Sequence, residues 1–582
     1  MKVAKLTPFL SVSPQINEAD MGILAAQGFR AIVNNRPDGE SDDQPGSEAL
    51  RAAAERQGLA YRHIPVVSGR VGDEDVGAFA DALGELNGPV LAFCRTGTRS
   101  TTLWALSEAY HLDPNAILRT TAEAGYDLEA LRSRLETRAR TDALIRETVI
   151  TPAASYDVVI VGGGSGGIAA ASSLLGRRPD ASIAVVEPRE SHYYQPGWTL
   201  VGGGVFKRGD TERPMASAMP KQVKWVKAAV ASFEPERNRV VLEDGEHLAY
   251  RTLIVSPGIE LNWQGIEGLQ ETLGRNGVTS NYMFEMAPYT WDLVQSMRSG
   301  RAIFTQPPMP IKCAGAPQKA AYLSCCDWEK RKVLGDIDVE FHTAGGVLFG
   351  VKEFVPALMT YVERYGIDLN FQSDLAAVDG PARKAWFKVT KPDGSSETVE
   401  KDFDMLHVCP PQRAPAFIRN SPLADANGWV EVSPETLQHS RYSNVFGIGD
   451  ASSAPNAKTA AAVRKQAPVA AMNAISVLDG EAPRAIYDGY GSCPLTVERG
   501  KIVLAEFGYG GKLLPTFPWD PTKPRRINWF LKEKMLPWIY WDLMLKGREW
   551  LAKPELLPHA PAAHEAPEAC DFSAPKARAK AS

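Results

Sequence analysis

An α/β protein of three or four domains is the fold class this sequence predicts, on three observations. At 582 residues the chain is too long for one hydrophobic core. Short apolar runs alternate with helical stretches along most of its length. One of those runs, DVVIV at 157–161, opens directly into a glycine turn of the form G-x-G-x-x-G.

Bulk composition narrows the field. With 44% hydrophobic and 23% charged residues, the chain has an ordinary globular balance. A formal net charge of −5 gives no reason to expect nucleic acid as a partner. Seven cysteines in a chain this long do not make a disulfide scaffold, so each reads as possible chemistry. No metal-ligand set stands out, and no C-x-x-C-H haem site is present. The start, MKVAKLTPFLSVSPQ, lacks the apolar run of a signal peptide, and no stretch of about 18 apolar residues spans a bilayer. The expected compartment is the cytoplasm.

Residues 1–140 read as a first domain. AIVNN at 31–35 and PVLAFC at 89–94 are buried parallel strands, with GSEALRAAAERQG and DVGAFADALGELNG as helices between them. A linker is expected at 141–154, then a two-part dinucleotide-binding unit over 155–500 and an aromatic, basic region over 501–552. The tail, 553–582, is rich in Ala, Pro and Lys and reads as disordered.

In the glycine turn, Gly162 permits the bend, Gly164 lets backbone approach a pyrophosphate, and Gly167 lets helix pack on strand. The helix N-terminus then faces the phosphates. SIAVVEP supplies the next strand, ending in Glu187, where a carboxylate holds ribose hydroxyls. Two later segments favour FAD over NAD: TLIVSPG, which ends at Gly258, and NVFGIGDASSAP, which carries Asp450. In resemblance to two-dinucleotide flavoproteins, Asp450 is expected to bond the ribityl chain of FAD.

Longer strings are more particular. HYYQPGWTLVGGG, SNYMFEMAPYTW, PIKCAGAPQKAAYLS, DMLHVCPPQ, GWVEVSPETLQHSRYSNVFGIGD, KTAAAV (with Lys458 and Thr459) and YDGYGSCPL resemble sulfide:quinone oxidoreductases, over roughly 155–550. The resemblance implies a redox cysteine beside the flavin. Sulfide opens a disulfide or trisulfide, one sulfur keeps a persulfide, the other passes two electrons to the flavin, and quinone removes them. Cys313 matches that cysteine, with Lys312 beside it to favour the thiolate. The resemblance also implies a second cysteine directly after the Gly-Asp pair, where this chain has Ala451. A Cys313–Cys409 pair is therefore expected, with Cys409 as an ordinary buried thiol the alternative. Cys325 and Cys326 read as structural, Cys493 falls near the expected quinone end, and Cys570 has no role.

In the first domain, Cys94 ends a strand and is followed by a Gly-containing loop and Arg99, a cradle for an anion. Four residues separate Cys94 from Arg99, as in rhodanese-type sulfurtransferases, whereas tyrosine-phosphatase loops have five. GFRAIVNNRPDGE resembles a small bacterial family with a phosphatase-like fold, found fused to sulfur-oxidising enzymes. Asp38 is a general acid or, the reading favoured on composition, a turn residue. A persulfide made on the flavoprotein could pass to Cys94, directly or through a thiol such as glutathione.

RRINWFLKEKMLPWIYWDLMLKGREW combines Trp and Tyr with flanking cations, which suits a membrane headgroup layer, and Pro537 is expected to break or kink it into two short helices. Core-packing helices or a homodimer contact are the alternative. The resemblance places this region on the membrane, at a quinone entry, hence peripheral on the inner face of the cytoplasmic membrane. Rival functions are an NADH-fed quinone reductase, disfavoured by proline after SGRAIFTQ where a phosphate-binding glycine turn is needed, and a redox sensor fused to a phosphatase.

Overall fold

The computed structural model describes residues 3–7, 9–86, 88–109, 112–139 and 154–557. The chain divides into two compact units, Met1–Thr151 and Pro152–Ser582. Most of the expected linker and all of the tail past residue 557 fall outside the described residues, as does Cys570.

The first unit is a five-stranded sheet in the order Ala4–Lys5, Leu10–Ser13, Val90–Phe93, Ala31–Asn34, Ala60–His63. Only the first strand is antiparallel. Val90–Phe93 and Ala31–Asn34 are buried along their whole length because helices cover both sheet faces, which is why they read as unbroken apolar runs. Cys94 leaves the middle strand at its carboxyl end, where a parallel sheet places ligands.

The second unit holds two large sheets, the first mixed, with Val230–Glu234 and Arg239–Leu242 antiparallel at one edge, and the second all parallel. In the first, Ala154–Val161 lies between Ile183–Val186 and His247–Val255, and Val445–Gly447 also pairs with His247–Val255. The glycine turn leads from Ala154–Val161 into the helix Ser165–Arg177. The second sheet runs Val278–Thr279, Met405–His407, Gly300–Gln306, Ile337–Thr343, Asp368–Asn370. After Gly300–Gln306 comes a proline-rich loop and then the helix Ala316–Arg331. An antiparallel hairpin, Gly491–Glu498 with Lys501–Phe507, packs on that helix.

Two expectations need correction here. The chain stays helical through Pro537, because wide π-type turns at Leu531–Met535 and Ile539–Leu543 flank it and absorb its missing N–H. The tail does not begin at 553, since Glu555–Leu556 pairs with Ala485–Ile486.

The aromatic segment is also divided in its surroundings. Tyr540, Trp541, Met544 and Leu545 are buried in the core around the dinucleotide helix, where Ser172 donates to the Leu545 carbonyl at 2.7 Å. Ile527, Phe530 and Trp538 stand about half exposed. Among the described residues no helix is long and apolar enough to cross a membrane.

Candidate functional site

The site forms where three distant segments meet. Cys313 sits just before the helix Ala316–Arg331, on a residue with φ of +52°, a conformation that costs a non-glycine residue about 1–3 kcal/mol. Its N–H donates to the Lys458 carbonyl at 2.8 Å, and Lys458 Nζ donates to the carbonyls of Asp450 and Ser452 at 2.8 and 2.9 Å. The thiol is thereby tied to the strand end that carries Asp450.

The hairpin supplies the second sulfur. Cys493 Sγ lies 3.5 Å from Cys313 Sγ, and Lys319 Nζ, from the first turn of the helix, donates to Cys313 Sγ at 3.2 Å. Gly315 makes this approach possible: a Cβ there would meet Leu495 Cδ2 at 2.2 Å and Cys493 Sγ at 2.7 Å. The expected Cys313–Cys409 pairing is thus corrected. Cys409 Sγ lies against the Pro410 carbonyl and Gln412 Nε2, in a small cluster against which Cys313 also packs, but the sulfur in contact with Cys313 is that of Cys493. YDGYGSCPL was part of the resemblance, so the string was visible, but its fold onto residue 313 was not.

Charge separates the two thiols. The hydrogen bond from Cys493, together with the Lys319 charge, outweighs burial and holds Cys313 well below the ordinary thiol range. The same bond pushes Cys493 well above it, with burial adding to the effect. Burial raises Cys409 to about 12, leaving it a neutral thiol. Lys532, from the first π-type turn, is a further cation in this cluster. Burial and then Lys319 lower it to about 7, and it donates to the Pro196 carbonyl at 3.0 Å. Nothing in the sequence around Lys532 marked it for this place. Lys312, the cation expected to act on Cys313, points instead to Gln195 Oε1 at 2.7 Å.

The residues fit a flavin dinucleotide. At the glycine turn a Cβ on Gly167 would stand 1.8 Å from the Gly162 carbonyl, whereas Gly164 faces open space. Glu187 leans on this turn, accepting from the Gly163 N–H at 2.9 Å. Gly258 has φ of +84° and also borders open space. Burial raises the Asp450 carboxyl, against the pull of Lys458 and Lys312, and that carboxylate has no protein hydrogen-bond donor among the described residues. A half-buried carboxylate without a protein donor is free to accept from hydroxyls such as those of a ribityl chain. Thr459 caps the helix Ala460–Leu478 through the Ala462 N–H, so it and Lys458 fix the loop.

In the first unit, Cys94 Sγ accepts from the Gly97 N–H at 3.2 Å. Arg99 spends three of its five donors on Val66 O (2.6 Å), Asn35 O (3.3 Å) and Glu40 Oε1 (2.7 Å). Glu40 also binds Arg36 at 2.7 Å. Asp38 accepts from the Ser47 N–H and hydroxyl at 2.8 and 2.5 Å, which makes it the brace of a helix start rather than an acid.

Two dinucleotide-type sheets, an orphan acid at the strand end and a charged thiol pair tied to it define a disulfide-reductase-type flavoprotein. Residues 156–288 match the family model described as pyridine nucleotide-disulphide oxidoreductase, and residues 2–111 match the phosphatase-like domain of beta-lactamase hydrolase-like protein. The chain is 44% identical over 374 residues to the mitochondrial sulfide:quinone oxidoreductase of Dictyostelium discoideum, covering 64% of this chain and 81% of that one. It therefore belongs to the sulfide:quinone oxidoreductase family, whose members use FAD. The solved enzyme of Aquifex aeolicus shares the fold, with a TM-score of 0.58 and 21% identity over 72% of this chain and 100% of that one. The front unit is 43% identical over 108 residues to a beta-lactamase hydrolase-like protein of Xylella fastidiosa, covering 19% of this chain and 25% of that relative.

Proposed function

We propose that this protein oxidises sulfide at the Cys313–Cys493 pair and delivers the electrons through FAD to quinone. The observation that carries this reading is the 3.5 Å approach of the two sulfurs, on a backbone tied to Asp450. With the pair oxidised, HS⁻ attacks Cys493 Sγ, the S–S bond breaks, and the electron pair stays on Cys313 as thiolate. Cys493 is left carrying the persulfide. Lys319 stabilises the departing thiolate, which makes Cys313 the better leaving group. Bound FAD would accept two electrons and release them to quinone, held by Asp450, Glu187 and the glycine turn.

The half-exposed Ile527, Phe530 and Trp538, with Arg525, Arg526 and Lys534 nearby in sequence, support a peripheral seat on the inner face of the cytoplasmic membrane. The persulfide sulfur then leaves to a small thiol such as glutathione and on to Cys94, whose loop and Arg99 form an anion cradle.

Anaerobic addition of sulfide to purified protein tests the core of this. Bleaching of the flavin band in wild type, lost in Cys313→Ser and in Cys493→Ser, is the expected result. Unchanged bleaching in either variant overturns the assignment.

A further inference from the structure

The front site holds a residue that neither the loop spacing nor Arg99 accounts for. Tyr126 follows the helix Pro114–Glu123, and its ring packs against the core of the first unit. Its hydroxyl lies so close over Gly97 that a Cβ there would stand 2.1 Å from it. Gly97 has φ of +90° and is the residue whose N–H meets Cys94 Sγ at 3.2 Å. The Cys94 loop therefore carries a phenol directly above it, and glycine at 97 is required for both reasons.

The hydroxyl has no protein hydrogen-bond partner among the described residues, and neither has the Arg99 Nε–H, whose guanidinium is otherwise fixed by Val66, Asn35 and Glu40. The Tyr126 hydroxyl is left free over the Cys94 loop, close enough to the thiol to feel its charge. Burial, and then the charge of Cys94, raise Tyr126 above its ordinary value, so it remains a protonated donor at neutral pH.

We infer that Tyr126 is a catalytic residue of the Cys94 site, donating a hydrogen bond to the outer sulfur of a persulfide carried on Cys94. This rests on the reading that Cys94 accepts sulfur. The step it serves is exchange with a low-molecular-weight persulfide: RSS⁻ and Cys94–SH give RSH and Cys94–S–S⁻. The donor's S–S bond breaks as the new one forms, the thiol proton passes to the departing RS⁻, and no electrons are gained or lost. The terminal sulfur of Cys94–S–S⁻ bears the charge, and the Tyr126 hydroxyl and the Arg99 Nε–H stabilise it.

The test loads the full-length protein with glutathione persulfide and traps it with iodoacetamide. Mass spectrometry of the Cys94 peptide then follows the gain of one sulfur atom over time. Tyr126→Phe, which keeps the ring over Gly97, is expected to slow loading about tenfold or more, the loss of one hydrogen bond to a charged group. Half-saturation by the persulfide and the thermal midpoint should stay unchanged. Equal loading by wild type and Tyr126→Phe overturns the role of Tyr126. No loading of Cys94 in wild type overturns the sulfur-acceptor reading itself, and Cys94-dependent hydrolysis of para-nitrophenyl phosphate would then take its place.

Discussion

Lys319 Nζ donates to Cys313 Sγ at 3.2 Å from a fully buried position in the first turn of the helix Ala316–Arg331. Burial works against the lysine, but the two sulfurs more than offset it and keep the ammonium charged. The cation and the thiolate are each stable inside the protein because the other is there.

Lys319→Met should therefore raise the Cys313 thiol toward its ordinary range. A thiolate held at depressed pKa persists down to low pH, so removing its cation costs activity first at the acid end. Sulfide-dependent flavin reduction should slow by about 10–100-fold near neutral pH, the worth of one charged hydrogen bond, and recover as pH rises. A rate–pH profile unchanged in the variant would contradict this assignment.

Cys409→Ser should leave sulfide-driven bleaching within about twofold of wild type, because the sulfur in contact with Cys313 is that of Cys493. Stopped-flow absorbance on Cys409→Ser beside Cys493→Ser separates the two candidate partners directly.

Gly315→Ala places a methyl group where Cys493 Sγ and Leu495 Cδ2 now stand. Overpacking of this kind typically costs about 1–3 kcal/mol, and here it should push the hairpin off the helix. Flavin content should survive while disulfide formation between residues 313 and 493, measured by thiol titration after oxidation, is lost.

Phe530→Ser with Trp538→Ser should weaken sedimentation with anionic vesicles by about tenfold or more, with little change in thermal midpoint, since both side chains are about half exposed. Trp541→Ser should instead destabilise the fold, because that ring is buried beside His192 and Tyr194.

His192 gives a pH signature. Its Nδ1 meets the Gly163 carbonyl at 3.1 Å and its Nε2 the Tyr540 hydroxyl at 2.7 Å, and burial lowers it to about 4. The unfolded chain binds a proton on this ring near pH 6.5, while the folded one does not until about pH 4. Stability from His192 is therefore complete above pH 6.5 and lost as pH falls toward 4, and His192→Gln should flatten that slope in urea titrations.

The glycine turn, the strands on either side of it and the acids Glu187 and Asp450 were legible from the sequence, because a pyrophosphate turn and the strand ends around it are local patterns whose spacing the backbone itself dictates. Cys313 and Cys94 were legible for the same reason, each at a loop joining strand to helix. The partner of Cys313 was not. It sits 180 residues further along the chain, on a hairpin whose register and packing against Ala316–Arg331 come from side-chain fit around Gly315 and Leu495. Lys532 and Tyr126 were hidden likewise, since an isolated lysine or tyrosine carries no periodic signal. The sequence by itself determined where the glycine turn lies and that Cys313 and Cys94 stand on strand-to-helix loops. Only the tertiary structure decided which sulfur, cation and hydroxyl stand beside them, because those contacts depend on long-range burial, to which local spacing is blind.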